Sequence, residues 1–274
     1  MTMKYYFING EKIKSDEAKI SVDDYGLMRG YGIFETIKFK NKKALNINNH
    51  MDRLFKGISF IKINPKKIIR ENIIDDINEM IKINNLDDGL IKIIITRGLV
   101  NNKEKTKPNI YITINKLYPI PQSPVKVTFY NESKYPILRF NPAIKSINYL
   151  GNMMAIENAN KEGAFEVVFY NNNNAITECA MRNIFFIKDN KLITPALELG
   201  ILPGTTRENI SKLSNNVNLK YSEEEVLIDN VDSMDEAFIC SSVVGVLPCY
   251  WDGWKSNYKI TKKLQFLLEE SLQK

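Results

Sequence analysis

The stretch Leu117-Tyr-Pro-Ile-Pro-Gln-Ser-Pro124 constrains this chain of 274 residues more than any other. Each proline removes a backbone donor and fixes φ, so three this close end any helix or sheet running into them. Patterned segments stand on both sides, and the chain is therefore expected to divide there. Residues 1–117 form a smaller first domain, 118–124 a linker, and 125–274 a larger second domain.

Upstream, Tyr5–Ile8 and Lys12–Ile13 flank an Asn9-Gly10 turn and read as a hairpin. Ile33–Phe39 alternates as a strand, and Asn41 and Lys42 turn the chain before Ala44–Ile47. A helix is expected from about Asn49 to Ile61, with Leu54, Ile58 and Ile61 on one face and Asn48 or Asn49 as its cap. A second is expected from Pro65 to Ile83, Pro65 suiting a first turn. Leu90–Thr96 and Asn109–Lys116 are Ile-rich strands. Downstream, Val125–Tyr130 is a strand and Asn148–Lys161 a helix with Leu150, Met154 and Ala155 inward. Strands follow at Glu166–Tyr170, Ala175–Thr177, Asn183–Lys188, Lys191–Ile193 and Ala237–Cys240, with helices at Arg207–Ser214 and Thr261–Leu272. Strands and helices in both halves make the fold class α/β, of the α+β type, in two α/β domains.

Several functions are excluded early. No apolar run spans a bilayer, since Leu90–Thr96 is strand-length and broken by Lys92, so no membrane partner is expected. The first ten residues carry no signal-peptide core, which points to the cytoplasm. Cys179, Cys240 and Cys249 have neither disulfide nor metal-ligand spacing. The formal charge of +6 is spread over Lys12–Lys19, Lys38–Lys43 and Lys103–Lys107 without a basic helix, so no nucleic-acid partner is expected either. His50 stands alone, and no Gly-x-Ser-x-Gly elbow accompanies it. Acid–base chemistry then falls to lysine, tyrosine or a carboxylate.

Lys145 lies in an apolar neighbourhood, where desolvation favours the neutral, nucleophilic amine; among so many cations, a surface lysine is the plain alternative. Glu178 stands between a short strand and the apolar Ile184–Ile187 run, so it needs a cationic partner. A protonated ring nitrogen or a salt bridge with Arg182 or another basic residue would serve. Leu202-Pro-Gly204-Thr205-Thr206-Arg207 opens a helix, where free N–H groups and the dipole favour a phosphate; a capping box from Thr205 to Glu208 is the alternative. Ser241-Ser242 is a second hydroxyl pair at a strand end. Arg53 can fork a phosphate or simply ion-pair on its helix. A Schiff-base amine, a ring-nitrogen partner and an anion cradle together describe a site for pyridoxal 5′-phosphate.

The order of these residues resembles the fold-type IV pyridoxal phosphate enzymes, the class IV aminotransferases, which include branched-chain and D-amino acid aminotransferases and 4-amino-4-deoxychorismate lyase. The resemblance runs through Arg29-Gly-Tyr-Gly-Ile-Phe-Glu-Thr36, His50-Met-Asp-Arg-Leu54 and Lys145-Ser-Ile-Asn-Tyr-Leu150. It continues in Thr177-Glu178, Asn183-Ile-Phe, Thr194-Pro195, Gly200-Ile-Leu-Pro-Gly-Thr-Thr-Arg207 and Ser241-Ser242. It implies a D-amino acid aminotransferase-like fold with the cofactor between two α/β domains, in an active homodimer. It implies that Lys145 forms the Schiff base and moves the substrate proton, and that Glu178 pairs with the pyridine nitrogen. Arg53, Gly204, Thr205, Thr206, Ser241 and Ser242 would hold the phosphate, Leu202 would pack on the ring, and Tyr149 would reach its phenolic oxygen. Tyr31, Thr36 and Arg97 would serve the substrate.

Within that family, Phe34-Glu-Thr-Ile-Lys38 departs from the Phe-Glu-Gly-Ile-Arg of branched-chain enzymes. Thr96-Arg97-Gly98 resembles the stretch that holds the substrate carboxylate in D-amino acid aminotransferases, although no histidine follows. Thr36 and Glu178-Cys179 resemble the lyases, which release 4-aminobenzoate and pyruvate. The expected activity is amino-group transfer between an amino acid and a 2-oxo acid. The lyase is the alternative, and a noncatalytic binding protein a remote third.

Overall fold

The computed structural model describes residues 4–64, 68–101 and 105–272. Two compact units divide the chain: Met1–Pro119 with Ile144–Asn148, and Ile120–Ala143 with Tyr149–Lys274. The crossing from Pro119 to Ile120 lies inside the proline stretch. Within the span 125–274, Ile144–Asn148 belongs to the first unit. Hydrogen bonds explain the return: Phe34 N donates to Lys145 O at 2.9 Å, and Ile147 N to Gly32 O at 3.1 Å.

The first unit contains β1 (Tyr5–Ile8), β2 (Glu11–Lys14), α1 (Tyr25–Arg29), β3 (Gly32–Lys40), β4 (Lys43–Ala44), α2 (Ile47–Phe60), α3 (Arg70–Asn84), β5 (Gly89–Asn101) and β6 (Lys105–Lys116). Its strands form an antiparallel sheet in the order β2-β1-β6-β5-β3-β4. Alternation sends Ile33, Ile37, Ile91, Ile93, Ile95, Ile112 and Ile114 to one face. There they are buried with Leu54 and Ile58 of α2 and Ile73 and Ile77 of α3. Each such side chain contributes roughly 1.5–3 kcal/mol on leaving water, which fixes the register, since a slip of one residue would reverse the faces.

Three expectations are corrected here. Ile47 belongs to α2 rather than to the preceding strand, and the cap is Asn46, in the left-handed region, not Asn48 or Asn49. The next helix starts at Arg70; Pro65 lies outside the described residues. The short helix α1 has no apolar periodicity to announce it, and Asp24 caps it by accepting from Gly26 N at 2.7 Å.

The second unit contains β7 (Val125–Asn131), α4 (Leu150–Lys161), β8 (Glu166–Tyr170), β9 (Ile176–Cys179), β10 (Asn183–Lys188), β11 (Lys191–Thr194), α5 (Thr205–Leu213), β12 (Lys220–Glu223), β13 (Glu236–Ser241), β14 (Gly245–Tyr250) and α6 (Lys259–Ser271). Its mixed sheet runs β12-β11-β10-β13-β14-β7-β8-β9. The central strands β10 and β13 are buried at almost every position because both faces are covered. Phe185 and Phe238 stack on one side with Ile210 of α5 and Leu264 and Leu268 of α6, while Ile184, Phe186 and Ile239 pack on the other.

Helix α4 corrects another expectation. Leu150 and Met154 are exposed, and the buried positions are Gly151, Ala155 and Ala159. The helix lies too close to its neighbours for larger residues: a Cβ on Gly151 would stand 2.7 Å from the backbone of Pro136. Close approach has overridden the simple apolar periodicity.

Candidate active site

In the first unit, β3 presents two chemistries on its two faces. Glu35 points with Ile33 and Ile37 into the core and is fully buried. Arg53 forks it, Nε to Oε1 and Nη2 to Oε2, both at 2.7 Å, and His50 Nδ1 meets Oε2 at 2.7 Å. Burial alone would raise the Glu35 pKa, but the charge and hydrogen bonds of Arg53, then His50, hold it down at about 2. Arg53 thus has a carboxylate partner, and His50 is spent on that same carboxylate. Glu35 went unremarked in the sequence; its signal is a charged residue at an inward strand position, with His50 and Arg53 three apart on one face of the following helix.

Phe34 and Thr36 point to the other face. Backbone pairing holds Lys145 beside β3, and its Nζ lies 4.5 Å from the centre of the Phe34 ring. Asn148 anchors the same segment by donating to Gly30 O at 3.0 Å. Nearby, Arg97 Nη1 donates to Tyr31 Oη at 2.7 Å with its guanidinium 4.8 Å from the Tyr31 ring, and Tyr31 donates in turn to Ile61 O. Buried Asp24 supports this pair. It accepts from Thr96 Oγ1, Asn109 Nδ2 and Tyr111 Oη at 2.7–2.8 Å. Lys145, Thr36, Tyr31, Arg97 and Arg53 therefore all belong to the first unit. Lys92, whose Nζ lies 4.9 Å from the Phe34 ring, joins them and was noticed in the sequence only as a break in an apolar run.

In the second unit, the partner of Glu178 is Arg139, whose Nη1 donates to Glu178 Oε1. The expected alternative partner, Arg182, pairs with Glu166 at 2.5 Å instead. Arg139 Nη2 also holds Glu132 Oε2 at 2.7 Å and Thr177 Oγ1 at 3.0 Å. Arg139 lies in the irregular segment between Pro136 and Pro142, where no periodicity marks it. The other oxygen, Glu178 Oε2, accepts from Leu202 N at 3.2 Å.

Leu202 then leads directly into the anion-binding candidate. Its carbonyl accepts from Asn183 Nδ2 at 3.0 Å, and Gly204 is the N-cap of α5. The N-cap, Gly204, brings no side chain to this end, and Glu208 accepts from Lys212 at 2.6 Å. A Cβ at Gly204 would stand 2.1 Å from Asn183 Oδ1, so only glycine lets the chain approach this closely. Thr205 and Thr206 are buried in the first turn, and Arg207 ties the helix to Pro195 O at 2.9 Å and to Glu223 at 3.1 Å. Ser241 and Ser242 lie where β13 turns into β14, and half-buried Tyr149 precedes α4.

A family model described as amino-transferase class IV matches residues 32–250. The chain belongs to the class IV aminotransferase family. It is 30% identical over 273 residues to the "putative branched-chain-amino-acid aminotransferase" of Methanocaldococcus jannaschii, covering 96% of this chain and 94% of that protein. It is 31% identical to the D-alanine aminotransferase of Staphylococcus haemolyticus over 251 residues, 90% of this chain and 88% of the relative. The fold matches the branched-chain amino acid aminotransferase of Escherichia coli at a TM-score of 0.89 and 22% identity, over 98% of this chain and 95% of that one. As a class IV aminotransferase, the chain carries the mixed two-sheet α/β architecture of its family, and its activity is of the aminotransferase class. Among the described residues, no helix is long and apolar enough to cross a membrane.

Proposed function

We propose that this aminotransferase uses pyridoxal 5′-phosphate bound through Lys145 to move an amino group between a branched-chain or D-amino acid and a 2-oxo acid. One observation carries the reading: Leu202 joins a clamped carboxylate to the start of α5, where Gly204 lets the chain run close against Asn183. Glu178 suits a protonated ring nitrogen, and the first turn of α5 suits a phosphate, so the two needs of one cofactor meet within a few residues. The close approach at Gly204 fits the same group, because a side chain there would fill the cradle.

When bound, the cofactor supplies an aldehyde carbon and an electron-accepting ring. Lys145 is the amine that carries it and then moves the proton at the substrate Cα. Glu178 keeps the ring nitrogen protonated. Arg53, Gly204, Thr205, Thr206, Ser241 and Ser242 would hold the phosphate, Leu202 would pack on the ring, and Tyr149 would reach its phenolic oxygen. Tyr31 and Arg97 receive the substrate carboxylate, and Thr36 lines the substrate side. The names of the Methanocaldococcus and Staphylococcus relatives support the two donor classes.

The proposal extends to a cytoplasmic homodimer. Three free cysteines suit a reducing compartment. Leu150, 69% exposed, stands with exposed Met153 and Met154 on α4, an apolar set that a second copy would cover. Product analysis tests the reaction. Purified holoenzyme given L- and D-amino acids with 2-oxoglutarate or pyruvate is expected to exchange amino and oxo groups. Release of 4-aminobenzoate and pyruvate from aminodeoxychorismate, with no such exchange, would overturn the reading in favour of the lyase.

A further inference from the structure

Asp24 reaches both limbs of chain that carry the Tyr31–Arg97 pair, and it is fully buried. Its Oδ1 accepts from Gly26 N at 2.7 Å, where α1 begins. That helix ends at Gly30 and delivers Tyr31, whose N–H closes back onto Tyr25 O at 3.1 Å. Its Oδ2 accepts from Thr96 Oγ1 at 2.8 Å, Asn109 Nδ2 at 2.7 Å and Tyr111 Oη at 2.8 Å. Thr96 and Asn109 face each other across β5 and β6, as the last regular pair before a bulge.

Arg97 sits in that bulge. Leu99 is next paired, with Lys107, so Arg97 and Gly98 together oppose Pro108, which has no N–H to give a ladder. Gly98 has a φ of +72°, and a Cβ there would stand 1.8 Å from Lys107 O, so glycine is required. Thr96 Oγ1 spans the bulge by accepting from Gly98 N at 3.1 Å, and it gives its own proton to Asp24. Through Thr96, one carboxylate braces the chain on both sides of Arg97. Helix α1 is pressed onto the same residue, since a Cβ on Gly26 would stand 2.2 Å from Thr96 Cγ2.

A helix cap alone would not ask for a carboxylate here. Asparagine caps as well as aspartate, but its NH2 donates, so an amide can serve Gly26 or the Oδ2 donors and not both. Burial alone would raise the Asp24 pKa, but the hydrogen bonds of Asn109, Tyr111, Thr96 and Gly26 hold it below the ordinary value. We propose that Asp24 is a positioning residue that joins Thr96 to the start of α1 and so sets Arg97 against Tyr31 for the substrate carboxylate. This inference rests on the roles proposed for Tyr31 and Arg97 and adds the residue that holds them in register.

Holoenzyme carrying Asp24→Asn, Thr96→Val or Thr96→Ser tests it, with Arg97→Met as the reference. The unreactive carboxylate 4-methylpentanoate is titrated by calorimetry, and 3-methylbutylamine, which has no carboxylate, by the visible band. Asp24→Asn and Thr96→Val should each weaken 4-methylpentanoate and raise KM for the amino acid about tenfold, the scale of one charged contact. The kcat and the response to 3-methylbutylamine should stay unchanged, because the contact is made in ground and transition states alike. Thr96→Ser, which keeps the hydroxyl, should restore wild-type values. Thr96→Val nearly preserves shape, so it decides the matter where Asp24→Asn fails to fold. A lower melting temperature with unchanged carboxylate affinity and KM would make Asp24 a purely structural residue and overturn the proposal. Equal losses for both probes would overturn it too. If Arg97→Met binds 4-methylpentanoate as the wild type does, the carboxylate role of Arg97 falls and the inference with it.

Discussion

Arg139 Nη1 donates to Glu178 Oε1 while its Nη2 and Nε hold Glu132, so the carboxylate proposed for the ring nitrogen carries its own cation. Burial opposes the charge of Arg139, but Glu178 and Glu132 outweigh it and raise its pKa. The remaining Glu178 oxygen is turned to Leu202 N. Both oxygens are therefore directed by groups that favour the ionised form.

Arg139→Met should disturb turnover more than cofactor capture. Without the guanidinium, Glu178 loses the opposite charge that favours its ionised form, and the ring nitrogen would hold its proton less firmly. The expected result is a fall in kcat of roughly 100-fold, with the visible cofactor band retained, the low end of the range ascribed to a single acid–base contribution. Glu178→Ala should do the same more severely. Unchanged kcat in either variant would show that the carboxylate does not act on the ring nitrogen.

The buried trio of Glu35, His50 and Arg53 predicts a pH dependence of folding. The folded-state pKa of Glu35, about 2, lies below its ordinary value of 4.5. Its contribution is therefore fully present above 4.5 and is lost as pH falls through about 2. Glu35→Gln should cost on the order of 3 kcal/mol at neutral pH, because it leaves Arg53 without its partner. Urea unfolding at several pH values checks both points: the variant should lose less stability on acidification than the wild type. Parallel pH profiles would contradict the account.

Gly204→Ala separates cofactor binding from folding. The added Cβ would push against Asn183, which supports the Leu202 carbonyl. We expect cofactor affinity to fall roughly tenfold, one charged contact's worth. Melting of the cofactor-free protein should move by less than about 4 °C, the shift expected for ~1 kcal/mol. A comparable loss of both would mean that Gly204 serves only the fold.

Much of this was legible in the sequence because it depended on local pattern. The Ile alternation of β3, β5 and β6, the Asn9-Gly10 hairpin and the Gly204 helix start each follow from a short-range rule, and each is present. What escaped depends on packing at a distance. Arg139 sits in an irregular segment and acquires its meaning only from Glu132 and Glu178. Leu150 and Met154 obey the helical period yet face outward, because Gly151, Ala155 and Ala159 let α4 approach its neighbours. Lys92 looked like an interruption until the β3–β5 register set it opposite Thr36. The order of Lys145, Glu178 and Gly204-Thr205-Thr206 was the strongest sequence signal. The hydrogen bond from Leu202 to Glu178 gives its last two members a structural link.

The central claim is that Lys145 carries the cofactor, and one measurement addresses it directly. Holoenzyme is reduced with borohydride, digested, and mapped by mass spectrometry for the phosphopyridoxyl label. The account predicts a single modified peptide bearing the label on Lys145, and no visible band or stable label in Lys145→Ala. A label on another lysine, or an unchanged band in Lys145→Ala, would contradict it.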